Sequence, residues 1–148
     1  MREILIKGGT VVNVRGETKA DVRIRDEKIA EVGDSLAKET ADRVIDATGL
    51  YVLPGAIDAH THLEMKMGRT FSADGYESGT RAAACGGVTT VFDYTLQTNG
   101  RSMLDEIADR NRLAEHKACV DYAFHGGISE VNEATLAEVG EMVKRGFT

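Results

Sequence analysis

Apolar positions along residues 1–53 recur with a period of two, the mark of short strands with one wet face. Ile4, Leu5 and Ile6 lead through Gly8-Gly9 into Thr10, Val11 and Val12, which predicts strand, turn and strand. Residues 21–25 alternate polar and apolar side chains, Asp26-Glu27 turns the chain, and residues 28–32 run back to Gly33-Asp34. A segment at 43–46 continues through Ala47-Thr48-Gly49 into Leu50-Tyr51-Val52-Leu53. The pattern predicts a small β-sandwich portion over 1–53. Its core is too small to stand alone comfortably, so it should pack on something else or be completed by another part of a chain.

From Pro54 onward the period changes. An apolar strand at 56–62 precedes Asp74, which with Glu77 reads as a capping box. The helix after it should turn Tyr76, Thr80, Ala83 and Ala84 inward and stop at Gly86-Gly87. Residues 88–94 form a β-branched second strand. Ser102 with Asp105 opens a second helix toward Lys117, with an interrupted stripe of Met103, Ile107, Ala114 and Ala118. Residues 120–125 make a third strand, and Asn132 caps a third helix with Leu136, Val139 and Val143 inward. The strands start roughly 30 residues apart, the size of one βα unit.

The fold class is therefore α/β. Single helices between parallel strands suit a doubly wound sheet or an eight-stranded barrel. No Gly-x-Gly-x-x-Gly follows a strand, which weakens the dinucleotide-binding version. Residues 54–148 are read as the first three βα units of a TIM-type barrel, with Phe147-Thr148 opening a fourth strand. Eight units need about 250 residues. The barrel is incomplete in these 148 residues, and the chain is expected to be an N-terminal part of a larger enzyme.

That placement gives meaning to the polar residues. Strand side chains alternate, so His60 and His62 face one way, about 6–7 Å apart along the backbone, within reach of one metal ion. Barrel enzymes gather their chemistry at the C-terminal strand ends. Asp93 stands near the end of the second strand and His125 at the end of the third. Asp58, two residues before His60, either orients a ligand imidazole from behind or is a buried carboxylate held by backbone donors. Asp93 is open to the same two roles, and His125 to three: a third metal ligand, an orienting partner or a packing residue. His116, among charged residues, is expected in solvent.

Composition narrows the class. Hydrophobic residues make up 42% and charged residues 28%, an ordinary globular balance. A net charge of −6 without a basic cluster argues against nucleic acid. No run approaches the roughly 18 apolar residues of a membrane span, and the charged start is unlike a signal peptide. Cys85 and Cys119 are isolated and read as buried small apolar residues, which fits a reducing, cytoplasmic setting.

Pro54-Gly55-Ala56-Ile57-Asp58-Ala59-His60-Thr61-His62-Leu63 resembles the signature of the amidohydrolase superfamily, whose β-sandwich precedes a metal-bearing barrel. Gly79-Thr80-Arg81-Ala82-Ala83-Ala84-Cys85-Gly86-Gly87-Val88-Thr89-Thr90, then Val91-Phe92-Asp93 and Asp121-Tyr122-Ala123-Phe124-His125, resemble its dihydropyrimidinase and hydantoinase branch. The resemblance implies a hydrolase that opens a cyclic amide or imide ring, a dihydropyrimidine or 5-substituted hydantoin, with a metal-activated hydroxide. It implies two divalent metals, usually zinc, with His60 and His62 on the more buried one, and a homotetramer. The bridging carboxylated lysine, further histidines, catalytic aspartate and oxyanion-stabilising tyrosine of the family belong to later strands. No catalytic residue is thus expected within this chain, and Gly146-Phe147-Thr148 looks like the start of the lysine segment. The loop after His62 corresponds to the family's substrate lid, with Met65 and Met67 at the apolar positions. Glu64, Lys66 and Arg69 depart from the common hydantoinase pattern of aspartate, proline and glycine, so substrate choice transfers least.

Other functions compete with this one. An allantoinase-type enzyme is a close neighbour. A dihydroorotase is disfavoured, because Leu63-Glu64 stands where an arginine usually follows the histidine pair. A non-catalytic homologue acting through protein partners would lack the metal histidines, and both are present. An assembly fragment, a partial barrel acting only by assembly, would expose apolar barrel-facing edges and need a partner chain to cover them.

Overall fold

Two successive segments of the chain fold as two units, Met1–Pro54 and Gly55–Thr148. The computed structural model describes residues 3–37 and 41–148.

The first unit is one sheet of five strands: β1 (Glu3–Asn13), β2 (Gly16–Arg25), β3 (Lys28–Gly33), β4 (Arg43–Asp46) and β5 (Tyr51–Val52). The order is β3-β2-β1-β4, with β5 also beside β1. Asp26 and Glu27 both hold positive φ in the β2–β3 turn, where the right-handed twist of a hairpin favours that conformation. The expected turn at Gly8-Gly9 is instead a bulge within a continuous β1, where the register to β2 slips between Ile6 and Gly9. Gly8 has φ of 72°, and a Cβ there would stand 2.8 Å from Thr48 Oγ1. Asp21 on β2 holds the bulge by accepting from the Gly8 N–H at 2.8 Å.

The second unit carries β6 (Ala56–Thr61), β9 (Val88–Leu96) and β10 (Asp121–Gly127) as a parallel sheet in the order β10-β9-β6. A short hairpin, β7 (Lys66–Met67) with β8 (Thr70–Phe71), rises between β6 and the first helix. Helices α1 (Tyr76–Cys85), α2 (Met103–Ala114) and α3 (Glu133–Lys144) follow β8, β9 and β10. The core lies on the helix side of the sheet, built from Leu63, Tyr76, Val91, Met103, Ile107, Ala114, Phe124 and Met142. Each Leu, Val, Ile, Phe or Met among them withdrawn from water stabilises the unit by about 1.5–3 kcal/mol. At the chain's end the Gly126 N–H donates to the Thr148 carbonyl at 2.7 Å, so residues 147–148 run alongside β10.

The helices depart from expectation in detail. Gly75, not Asp74, is the N-cap of α1, and Ser78 Oγ accepts its N–H while donating to Asp74. Ala84 is exposed, leaving Tyr76 and Thr80 as the fully buried residues of α1. Ser102 and Asn132 cap α2 and α3 as expected, but α2 ends at Ala114. On α3 the buried residues are Thr135 and Met142, whereas Leu136, Val139 and Val143 are exposed. Gly126 on β10 leaves room for the Met142 side chain, since a Cβ there would lie 2.3 Å from Met142 Cε. Cys85 and Cys119 are exposed rather than buried. No described helix is long and apolar enough to cross a membrane.

Candidate functional site

The site begins where β6 starts. A Cβ on Gly55 would come within 2.1 Å of Thr89 Oγ1, so only glycine lets β6 settle against β9 at this point. The β6–β9 register is interrupted between Asp58 and Thr61, around His60. Even so, His60 and His62 converge: their Nε2 atoms are 3.2 Å apart and their ring planes cross at 87°. Two tetrahedral zinc ligands at 2.0–2.1 Å from the metal stand about 3.3 Å from each other. The pair therefore fits one ion. His62 Nδ1 is buried with no hydrogen-bond partner among the described residues, and among those residues no group of three or more His, Cys, Asp or Glu converges.

Tyr94 on β9 packs against both imidazoles, with ring centroids 4.4 Å from His60 and 5.5 Å from His62. This contact follows from the alternation that turns Phe92 and Tyr94 to the histidine side of the sheet. Sequence reading missed Tyr94, although its position two residues from Phe92 was the available signal.

His125 lies on the same side, 4.9 Å from Tyr94 and 5.1 Å from Phe92 between ring centroids. Its Nε2 is 3.1 Å from the Ala59 carbonyl, which can only accept, so Nε2 carries the proton. In the neutral ring Nδ1 then accepts from the Thr148 hydroxyl at 2.5 Å. Both nitrogens are committed to the protein. His125 is a strut to the residue before His60.

The two aspartates separate. Asp58 is exposed, not buried, and its Oδ1 accepts from the His60 backbone N–H at 3.2 Å rather than from a ring nitrogen. Asp93 lies within β9 and points to the helix side, opposite Tyr94. It is fully buried there among Tyr76, Arg110, Thr61 and Leu63. Burial pushes the Tyr76 phenol well above its ordinary 10.0, and its hydrogen bond to Asp93 acts in the same direction. Arg110 was also missed. Met103, Ile107, Arg110 and Ala114 share one helical face, so the signal was an arginine occupying a slot in the buried stripe.

The lid residues divide as well. Met65 is buried and lines a cavity of about 290 Å³ with Tyr94, Gln97 and Arg110, whereas Met67 is exposed near the hairpin tip, as is Phe71. The expected loop is a two-stranded hairpin with Gly68 at φ of 63° in its turn.

Residues 51–147 match the Amidohydrolase family. The D-hydantoinase of Streptomyces coelicolor is 43% identical over 148 residues, covering 97% of this chain and 32% of that protein. A D-phenylhydantoinase of Escherichia coli is 41% identical over 146 residues, covering 98% and 32%. Among solved structures, dihydropyrimidinase from Brevibacillus agri aligns with a TM-score of 0.91 at 41% identity, covering 97% of this chain and 31% of that one. The L-hydantoinase (dihydropyrimidinase) of Arthrobacter aurescens aligns at 0.78 and 28%, covering 98% and 31%. The chain thus spans about a third of the length of the curated relatives it matches.

Proposed function

The chain belongs to the amidohydrolase family, and we propose that it serves hydrolytic opening of a cyclic amide or imide ring, with His60 and His62 as two ligands of a divalent metal, zinc. The substrate class follows the relatives, which are hydantoinases and a dihydropyrimidinase. The observation that carries the metal assignment is the 3.2 Å approach of the two Nε2 atoms.

A metal held there would polarise the ring carbonyl and lower the pKa of a bound water. The chain's own residues build the setting. His60 near the end of β6 and His62 just past it bring their ring nitrogens together, Tyr94 backs both rings, and His125 fixes the Ala59 carbonyl immediately before the pair. Asp58 steadies the His60 backbone. Met65 inside the cavity and Met67 with Phe71 on the hairpin offer adaptable apolar contacts to a ring substituent.

The test is His60→Ala and His62→Ala in the full-length protein, read by bound zinc and by turnover of 5-substituted hydantoins, dihydrouracil and allantoin. Loss of an orienting partner weakens metal binding about 10–100-fold, so loss of a direct ligand should exceed about 100-fold. Turnover should fall with it. Metal retained in both variants would reject the ligand assignment, and turnover of allantoin alone would move the substrate to the allantoinase class.

A further inference from the structure

Behind β6, on the helix side of the sheet, a carboxylate and a guanidinium grip the chain on both sides of His62. Asp93 Oδ1 accepts from the Leu63 N–H at 2.9 Å and from the Thr61 hydroxyl at 3.3 Å. Its Oδ2 accepts from the Tyr76 hydroxyl at 2.5 Å and from Arg110 Nη2. That Nη2 also donates to the Leu63 carbonyl, while Nη1 donates to the Glu64 carbonyl at 3.1 Å. Three of these bonds end on main-chain atoms of Leu63 and Glu64, and a fourth ends on Thr61. His62 sits between the anchored residues.

The gripped segment has reason to need holding. Glu64 has a φ of 50°, in the left-handed region that a non-glycine residue keeps only where its surroundings impose it. Arg110 holds the carbonyls of residues 63 and 64, and the Glu64 N–H donates to the Asp74 carbonyl at 2.8 Å. Arg110 is 12% exposed and Asp93 not at all. Such a buried ion pair adds little net stability over well-packed apolar side chains. What this pair adds is direction, because its bonds converge on the turn that aims one imidazole.

We propose that Asp93 and Arg110 are positioning residues for His62: they fix the angle at which its Nε2 meets that of His60, and with it the affinity and geometry of the metal site. The inference rests on the metal reading above. Neither residue touches the ion; both act through the main chain at 61–64.

The experiment compares Arg110→Met, Arg110→Lys and a control, Ile107→Val, in the full-length protein. Ile107 is buried on the same helix and makes no bond to residues 61–64 among the described contacts. Zinc affinity is measured by competition with a chromogenic chelator, and coordination geometry by the visible spectrum of the cobalt-substituted protein. Arg110→Met should lower affinity about 10–100-fold and alter the cobalt bands. Arg110→Lys should recover part of the affinity, because an ammonium can still pair with Asp93 but has no fork for two carbonyls. Ile107→Val should leave both readouts unchanged. Wild-type affinity and bands in Arg110→Met, or an equal loss in Ile107→Val, would overturn the proposal. Should Arg110→Met fail to fold, Asp93→Asn takes its place under the same criteria. A His62→Ala arm keeps the two readings apart. If it loses zinc while the Arg110 variants hold it, only the positioning role falls; if it too keeps zinc, the metal reading falls as well.

Discussion

The Tyr76 hydroxyl donates to a carboxylate that already serves Arg110, Leu63 and Thr61. Hydrogen bonds to charged groups contribute about 1.5–3 kcal/mol, so Tyr76→Phe should destabilise the protein by that amount at neutral pH. The pH dependence reports the phenol's burial together with this bond. Burial and Asp93 raise the folded phenol above 10.0, so above that pH the unfolded chain loses its proton while the folded chain keeps it. The Tyr76 contribution is therefore complete below about pH 10 and is lost as pH rises from there. Denaturation midpoints of wild type and Tyr76→Phe should converge above about pH 10. Parallel curves would mean that the phenol is neither buried nor bonded to Asp93 in solution.

At the scale of elements, the β1 bulge shows a carboxylate doing comparable work. Asp21 accepts from the Gly8 N–H at 2.8 Å and the Leu36 N–H at 3.0 Å, and pairs with Lys7 at 3.0 Å. Burial pushes its pKa up, but these donors and the Lys7 charge outweigh it, and the folded value lies below 3.8. A depressed carboxylate stabilises above the unfolded pKa and loses that contribution as pH falls through the folded one. Asp21→Asn should thus cost about 1–3 kcal/mol at neutral pH, with the gap to wild type closing below about pH 4 in denaturation followed by circular dichroism. Strand and helix order was legible in the sequence because a period of two or of 3.6 is a local property. The two-residue spacing of His60 and His62 was legible too, although β6 ends at Thr61 and its register to β9 breaks around His60. What escaped depends on distant partners. Gly8-Gly9 resembles a turn until Asp21 is seen to hold it as a bulge, and the inward face of α3 depends on the space above Gly126. Arg110 acts on carbonyls 46 and 47 residues away, and only its place in the α2 stripe hinted at burial.

For the whole molecule, the two imidazoles must be weighed against what a zinc site requires. Catalytic zinc is held by three protein ligands and keeps one position open. Among the described residues His60 and His62 converge without a third, and His125 is occupied by Ala59 and Thr148. The chain also spans only about a third of its curated relatives. Ile57, Leu136 and Val143 are each more than half exposed, apolar surface that a complete barrel of this family would bury between neighbouring units. The 148 residues alone should therefore bind zinc weakly, open no hydantoin ring at a measurable rate, and self-associate through these faces. Equilibrium dialysis and sedimentation velocity on the isolated chain read the first and last of these directly. Tight, stoichiometric zinc that His60→Ala abolishes would show that the two histidines at the end of β6 suffice for affinity.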